Sequence, residues 1–164
     1  MVDQIVSIFT DFLSNHNIPK EIIPFIISLF PVLEIRGGMI AALALDDIPF
    51  IRAFIVCYIA NMIPIPFILL FIRKIFALMK KSKKLSKIVD KMEARADKKK
   101  DTIVKYQEWG LLFFVGIPLP GTGGWTGALL AALMDLRMKK ALPIIALGVF
   151  IAGLIMSLLT YGIF

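Results

Sequence analysis

One cysteine and one histidine in 164 residues leave little room for two common kinds of chemistry. Cys57 has no partner for an intramolecular disulfide, and its apolar surroundings in the chain mark it as a packing residue. His16 stands among scattered carboxylates, which is no basis for a metal site. No hydroxyl or thiol is set in a pattern with a base, so nothing points to an enzyme. Charge is missing from Ala53 to Ile72 and again from Ala141 to Phe164. Each stretch has the ~20 apolar residues that cross a hydrocarbon core of ~30 Å. Residues 1–17 carry Asp3 and Asp11 and lack a basic start and a small-residue cleavage site, so they are not expected to be a removable signal peptide.

Apolar side chains are what the sequence does have. They make up 59% of the chain, with mean hydropathy +0.84, against roughly 45–50% in a soluble domain. The net charge of +7 is local. Residues 80–105 hold eleven basic and four acidic side chains, so the rest of the chain is neutral. Such a connector between membrane segments is expected on the cytoplasmic side, drawn to anionic headgroups, with no nucleic-acid role. The fold class expected is an all-α integral membrane protein of the prokaryotic inner membrane.

The two halves read as a repeat. Gly37-Gly38 aligns with Gly123-Gly124, Ala42-Leu43 with Ala128-Leu129, and, after a short insertion, Asp47 with Asp135 and Arg52 with Lys140. Each half offers an interrupted apolar stretch and then an uncharged one. The N-terminal half is drawn over residues 1–79, with a broken stretch 22–45 and a spanning helix 51–73. A connector helix follows over 80–105. The C-terminal half covers 106–164, with a broken stretch 109–134 and a spanning helix 141–163. Residues 1–21 read as an amphipathic segment.

Two topologies compete for the broken stretches. As kinked rods they give four crossings. As re-entrant hairpins they give two crossings and an inverted repeat. Proline inside a helix costs ~3 kcal/mol or more, and Pro118 and Pro120 stand among three glycines. The fragments on either side are too short to span. With hairpins, Arg137, Lys139 and Lys140 join the basic connector inside, while Asp46, Asp47 and both termini fall outside, as the positive-inside rule asks. The hairpin reading is therefore preferred. Broken helices in inverted repeats are a recurrent build of secondary transporters.

The chemistry gathers at the two breaks. Glu34 and Arg36 are ionisable groups within an apolar stretch, which makes them functional candidates, with a structural ion pair as the plain alternative. Irregular backbone at membrane depth needs protein or water around it, so a polar pocket is expected between the breaks. The amide N–H groups that open the second arm of each hairpin attract an anion, phosphate above all. Thr122 is expected to cap the second such helix. Arg36 offers a planar fork to phosphate oxygens, and Glu34 a site for proton coupling. The expected substrate-binding set is Glu34, Arg36, Gly37, Gly38, Pro118, Pro120, Gly121, Thr122, Gly123, Gly124, Trp125 and Thr126. For the glycines the alternative is plain close packing of helices. Asn61, with Pro64 and Pro66, reads as a kink in the first spanning helix.

The segments LEIRGG at Leu33–Gly38 and IPLPGTGGWTGALLAAL at Ile117–Leu133 resemble the paired motifs of the small multidrug export protein family, a relative of the DedA/VTT superfamily. The resemblance runs from Pro19 to the C-terminus. It implies two opposed re-entrant hairpins and lipid translocation, with Glu34 and Arg36 matching the acidic and basic residues of the first tip and Pro118 to Trp125 the second. The expected function is transport of an amphipathic anionic substrate, a phospholipid or undecaprenyl phosphate, coupled to protons and with no cofactor. Export of lipophilic cations is the alternative, disfavoured by Arg36 beside Glu34, and a non-transporting scaffold is a third. Membrane lipids are the expected partners, with pairing of two copies of the chain also in view.

Overall fold

The computed structural model describes residues 19–45, 48–81, 107–119, 121–134 and 136–162, with the single positions 8, 86, 87 and 90. Most of the expected amphipathic segment, the Asp46-Asp47 pair, most of the basic connector, Asp135 and Pro120 lie outside the described residues. Within them the long elements are all helices: α1 (Ile22–Leu29), α2 (Glu34–Ala44), α3 (Phe50–Met62), α4 (Pro64–Lys80), α5 (Gln107–Gly116), α6 (Gly124–Leu133) and α7 (Met138–Tyr161).

Local sequence explains where they stop. Phe30 precedes a proline, which disfavours helical backbone, and it is extended at φ −76°, ψ 137°, ending α1. Between α5 and α6, Gly121 and Gly123 adopt φ of 82° and 139°, which side chains with a Cβ rarely reach. Ile63 separates α3 from α4, and Pro64 opens α4 at a position where its missing N–H costs little.

Among the described residues two helical stretches are long and apolar enough to cross a membrane, Phe50–Ile72 through α3 and α4, and Met138–Tyr161. Only 28% and 33% of their most apolar windows are buried by the rest of the chain. A core helix of a soluble protein would be mostly covered. Here Ile51, Ile55, Ile59, Ile63 and Phe67 form an exposed stripe on one stretch, and Leu147, Phe150, Leu154 and Leu158 on the other. α7 begins at Met138, a turn earlier than the uncharged run suggests. Its first turn carries Lys139 and Lys140, and Lys140 Nζ lies 2.8 Å from Glu108 Oε1 of α5. This pair is exposed, so it orients α5 against α7 without adding much stability.

The remaining apolar helices are short. At ~1.5 Å per residue, the 10 residues of α6 span about half of a ~30 Å hydrocarbon core. α1 folds back on α2: a Cβ on Gly38 would sit 2.8 Å from Cys57 Sγ and 2.9 Å from the carbonyl oxygen of Pro24, and would also strike the Ser28 hydroxyl. α5 packs on α6 with Gly127 against Val115.

The halves interlock by exchange. α1 packs on α3 and α5 on α7, each within its own half. α2 packs on α7 and α6 on α4, each against the long helix of the other half. An aromatic seam joins α3 to α7, with Phe54 edge-on to Phe150 at 5.3 Å and Phe50 edge-on to Tyr161 at 5.7 Å. The core between them is Met39, Ala53, Cys57, Ile65, Val115, Ala128, Ile145 and Val149 with their neighbours. Small residues dominate the inward faces of α6 and α7, which lets backbones approach where lipid offers no hydrophobic drive.

The paired glycines are not equivalent in three dimensions. Gly123 is the N-cap of α6 and Gly124 its first residue, whereas Gly37 and Gly38 lie a turn inside α2. The helix starts correspond as Glu34 with Gly124. The letter match between glycine pairs is displaced from the structural match by about one turn.

Candidate functional site

The turn between α1 and α2 meets the turn between α5 and α6. Glu34 opens α2 with a φ of 50°, an unusual value for a residue with a Cβ, and the side chain is only 4% exposed. Its conformation, in the left-handed region, costs of the order of 1–2 kcal/mol. That cost turns the carboxylate toward α6. Oε2 accepts a hydrogen bond from the amide of Gly124 at 3.1 Å, and Oε1 one from the amide of Trp125 at 3.1 Å. These are two of the four N–H groups a helix start leaves without intrahelical partners. A carboxylate there also meets the positive end of the helix dipole.

Arg36, two residues on, reaches the same turn from the other polarity. Nη1 donates to the carbonyl of Leu119, and Nη2 to the carbonyl and the hydroxyl of Thr122, the latter at 3.0 Å. One side of the turn thus gives its amides to Glu34 and the other its carbonyls to Arg36. Charge-assisted bonds of this kind are worth ~1.5–3 kcal/mol each when buried. Glu34 and Arg36 bridge the two hairpins, each ending on backbone of the second.

Gly123 makes the approach possible. A Cβ there would fall 2.6 Å from Glu34 Cδ, and the φ of 139° already excludes most side chains. Thr122 has a different duty from the expected cap. Its hydroxyl lies 2.8 Å from the carbonyls of Ile117 and Leu119, donates to one of them, and accepts from Leu119 N–H at 3.2 Å and from Arg36. It knots the turn, and α6 has no side-chain cap from its own N-cap residue. Glu34 does that work from across the interface.

The other expected residues divide. Trp125 is half-buried at the start of α6, and its indole Nε1 is buried without a partner. Thr126 back-bonds to the carbonyl of Gly123 at 3.4 Å. Pro118 is half-buried within the turn and Gly121 exposed on it. Gly37 and Gly38 are not at the meeting point. They face α1, where a Cβ on Gly37 would lie 3.2 Å from Ile27 Cγ2, so they serve close packing of the first hairpin. A residue read chiefly as a kink comes to the site: Asn61 of α3 is 0% exposed, and its Oδ1 lies 3.6 Å from where a Cβ of Gly124 would stand. The available signal was an amide inside an uncharged run; what it faces was not readable. Among the described residues, no group of His, Cys, Asp and Glu is placed to hold a metal ion.

Residues 34–155 match the profile of a family described as "Putative small multi-drug export protein". That range starts at Glu34 and takes in both bridging residues, the whole second turn and most of α7. No curated protein and no solved structure matches the chain.

Proposed function

This chain belongs to the family described as "Putative small multi-drug export protein", and on that footing we propose that it is a membrane transporter whose two short hairpins are re-entrant and meet inside the bilayer. The observation that carries the reading is the Glu34–Arg36 bridge. Two opposite charges two residues apart are both spent on the backbone of the other hairpin. A bridge of this kind holds the two halves closed, and opening it frees a guanidinium and two helix-start amides together. That set suits an anionic headgroup. The exposed apolar stripes on α3, α4 and α7 leave the tail of an amphipathic substrate in lipid.

The substrate proposed is a lipid phosphate, such as a phospholipid or undecaprenyl phosphate. Glu34 gains a proton when it leaves α6, which couples movement to protons. In the proposed topology residues 80–105 and 135–140 lie inside, and the loop at 46–52 and both termini outside. A second reading is export of lipophilic cations, favoured by the family description. Freed Glu34 would attract a cation, but Arg36 in the same turn repels it.

The test is reconstitution into liposomes with labelled lipid phosphate or a fluorescent lipophilic cation. Lipid movement that disappears in Arg36→Ala supports the proposal. Cation efflux that survives Arg36→Ala, with no lipid movement, replaces it with the second reading.

A further inference from the structure

Asn61 is wholly buried, and neither its side-chain oxygen nor its nitrogen has a hydrogen-bond partner. An amide left so costs ~1–3 kcal/mol per unsatisfied group, more than packing an apolar isostere there would. What it faces is specific. Around the first residue of α6, a Cβ on Gly124 would meet Val149 Cγ2 at 3.1 Å, Ile65 Cδ1 at 3.2 Å and Asn61 Oδ1 at 3.6 Å. Of these three nearest atoms the amide oxygen is the polar one, beside an N–H already given to a carboxylate.

We propose that the amino end of α6 is an oxyanion site which Glu34 fills in the absence of substrate, and that Asn61 is a further ligand of the oxyanion that replaces it. This rests on the reading of the chain as a transporter of an anionic headgroup. Glu34 uses both its oxygens on two amides. A phosphate monoester brings a third oxygen and needs another donor. A half-turn of the Asn61 amide puts Nδ2 where Oδ1 stands, and the two orientations have nearly the same shape. Trp125, whose backbone amide is one of the two donors, also keeps its indole N–H buried and unpartnered. The exchange breaks and makes hydrogen bonds only. A phosphate with its terminal oxygens unesterified is the chemistry recognised, whether it comes as a monoester on a lipid or as the free ion.

The chain has two tryptophans, Trp109 and Trp125. In full-length protein carrying Trp109→Phe, the fluorescence of Trp125 therefore reports on α6. It is titrated with inorganic phosphate, with short-chain phosphatidic acid and with the matching phosphatidylcholine. Adding Glu34→Gln is expected to tighten phosphatidic acid at least tenfold, because a neutral amide competes poorly with an oxyanion. Adding Asn61→Leu to that variant is expected to weaken it at least tenfold, and Asn61→Ser by less. The serine variant keeps the result readable if leucine unfolds the protein. Tightening for phosphatidic acid alone identifies a lipid source; equal tightening for inorganic phosphate identifies the free ion; both support the site. Binding of phosphatidylcholine as strong as that of phosphatidic acid overturns it. So does Glu34→Gln binding no tighter than its parent, or both Asn61 variants binding as their parent does. Movement of phosphatidic acid across liposomes is measured in parallel. Transport without these affinity changes overturns this inference and leaves the transport reading; the affinity changes without transport do the reverse.

Discussion

Glu34 and Gly124 are joined at 3.1 Å across ninety positions of sequence, carboxylate oxygen to amide, and each is the first residue of the second helix of its own hairpin. A strained start to one helix thereby caps the other.

Gly123→Ala tests how tightly that contact is fitted. A methyl group would enter the Glu34 carboxylate and would have to hold a φ of 139°. The expected loss is about 2–4 kcal/mol, read as a fall of several degrees in melting temperature in detergent. Gly110→Ala is the control. It lies exposed in α5 with nothing within 4 Å, so it is expected to be neutral or to stabilise by up to ~1 kcal/mol.

The Arg36 fork predicts that Lys will not substitute. Arg36→Lys keeps the charge but has no planar pair of donors for the carbonyls of Leu119 and Thr122. It is expected to lose most of what Arg36→Ala loses in thermal stability. A double-mutant cycle of Arg36→Ala with Thr122→Val is expected to give a coupling of roughly 1 kcal/mol, since their side chains share one direct bond of 3.0 Å.

Transport by the parent protein is expected to vary with pH, and transport by Glu34→Gln is expected to lose that dependence. The measurement is lipid movement in liposomes buffered at a series of pH values. A pH profile unchanged by the substitution assigns the proton to another group.

Labelling from outside whole cells tests the topology. On a Cys57→Ala background, a cysteine at Arg137 is expected to stay unlabelled by an impermeant reagent, whereas one at Pro49 is expected to react. Native Cys57 is 0% exposed, so its replacement removes little background. Labelling of position 137 from outside intact cells would reverse the proposed orientation of the second half.

Close packing in the first hairpin gives a prediction independent of transport. Gly38→Val brings carbon onto the Ser28 hydroxyl, Cys57 Sγ and the Pro24 carbonyl. None of these is the free end of a long side chain, so α1 must separate from α2 and α3. A loss of ~3 kcal/mol or more is expected, with poor recovery of folded protein on size exclusion.

By itself the sequence determined which stretches are helix, where they break and what they expose. Those are consequences of nearest neighbours: a proline after Phe30, glycines at 121 and 123, and two runs without charge. It also singled out Glu34 and Arg36, because charge in an apolar stretch is conspicuous wherever it lies. Only the tertiary structure decided what those charges do. Their partners are backbone amides and carbonyls, which every residue carries and no sequence pattern marks. For the same reason the displaced glycine match, the knot made by Thr122 and the approach of Asn61 to Gly124 became visible only once α2 and α6 had crossed into each other's half.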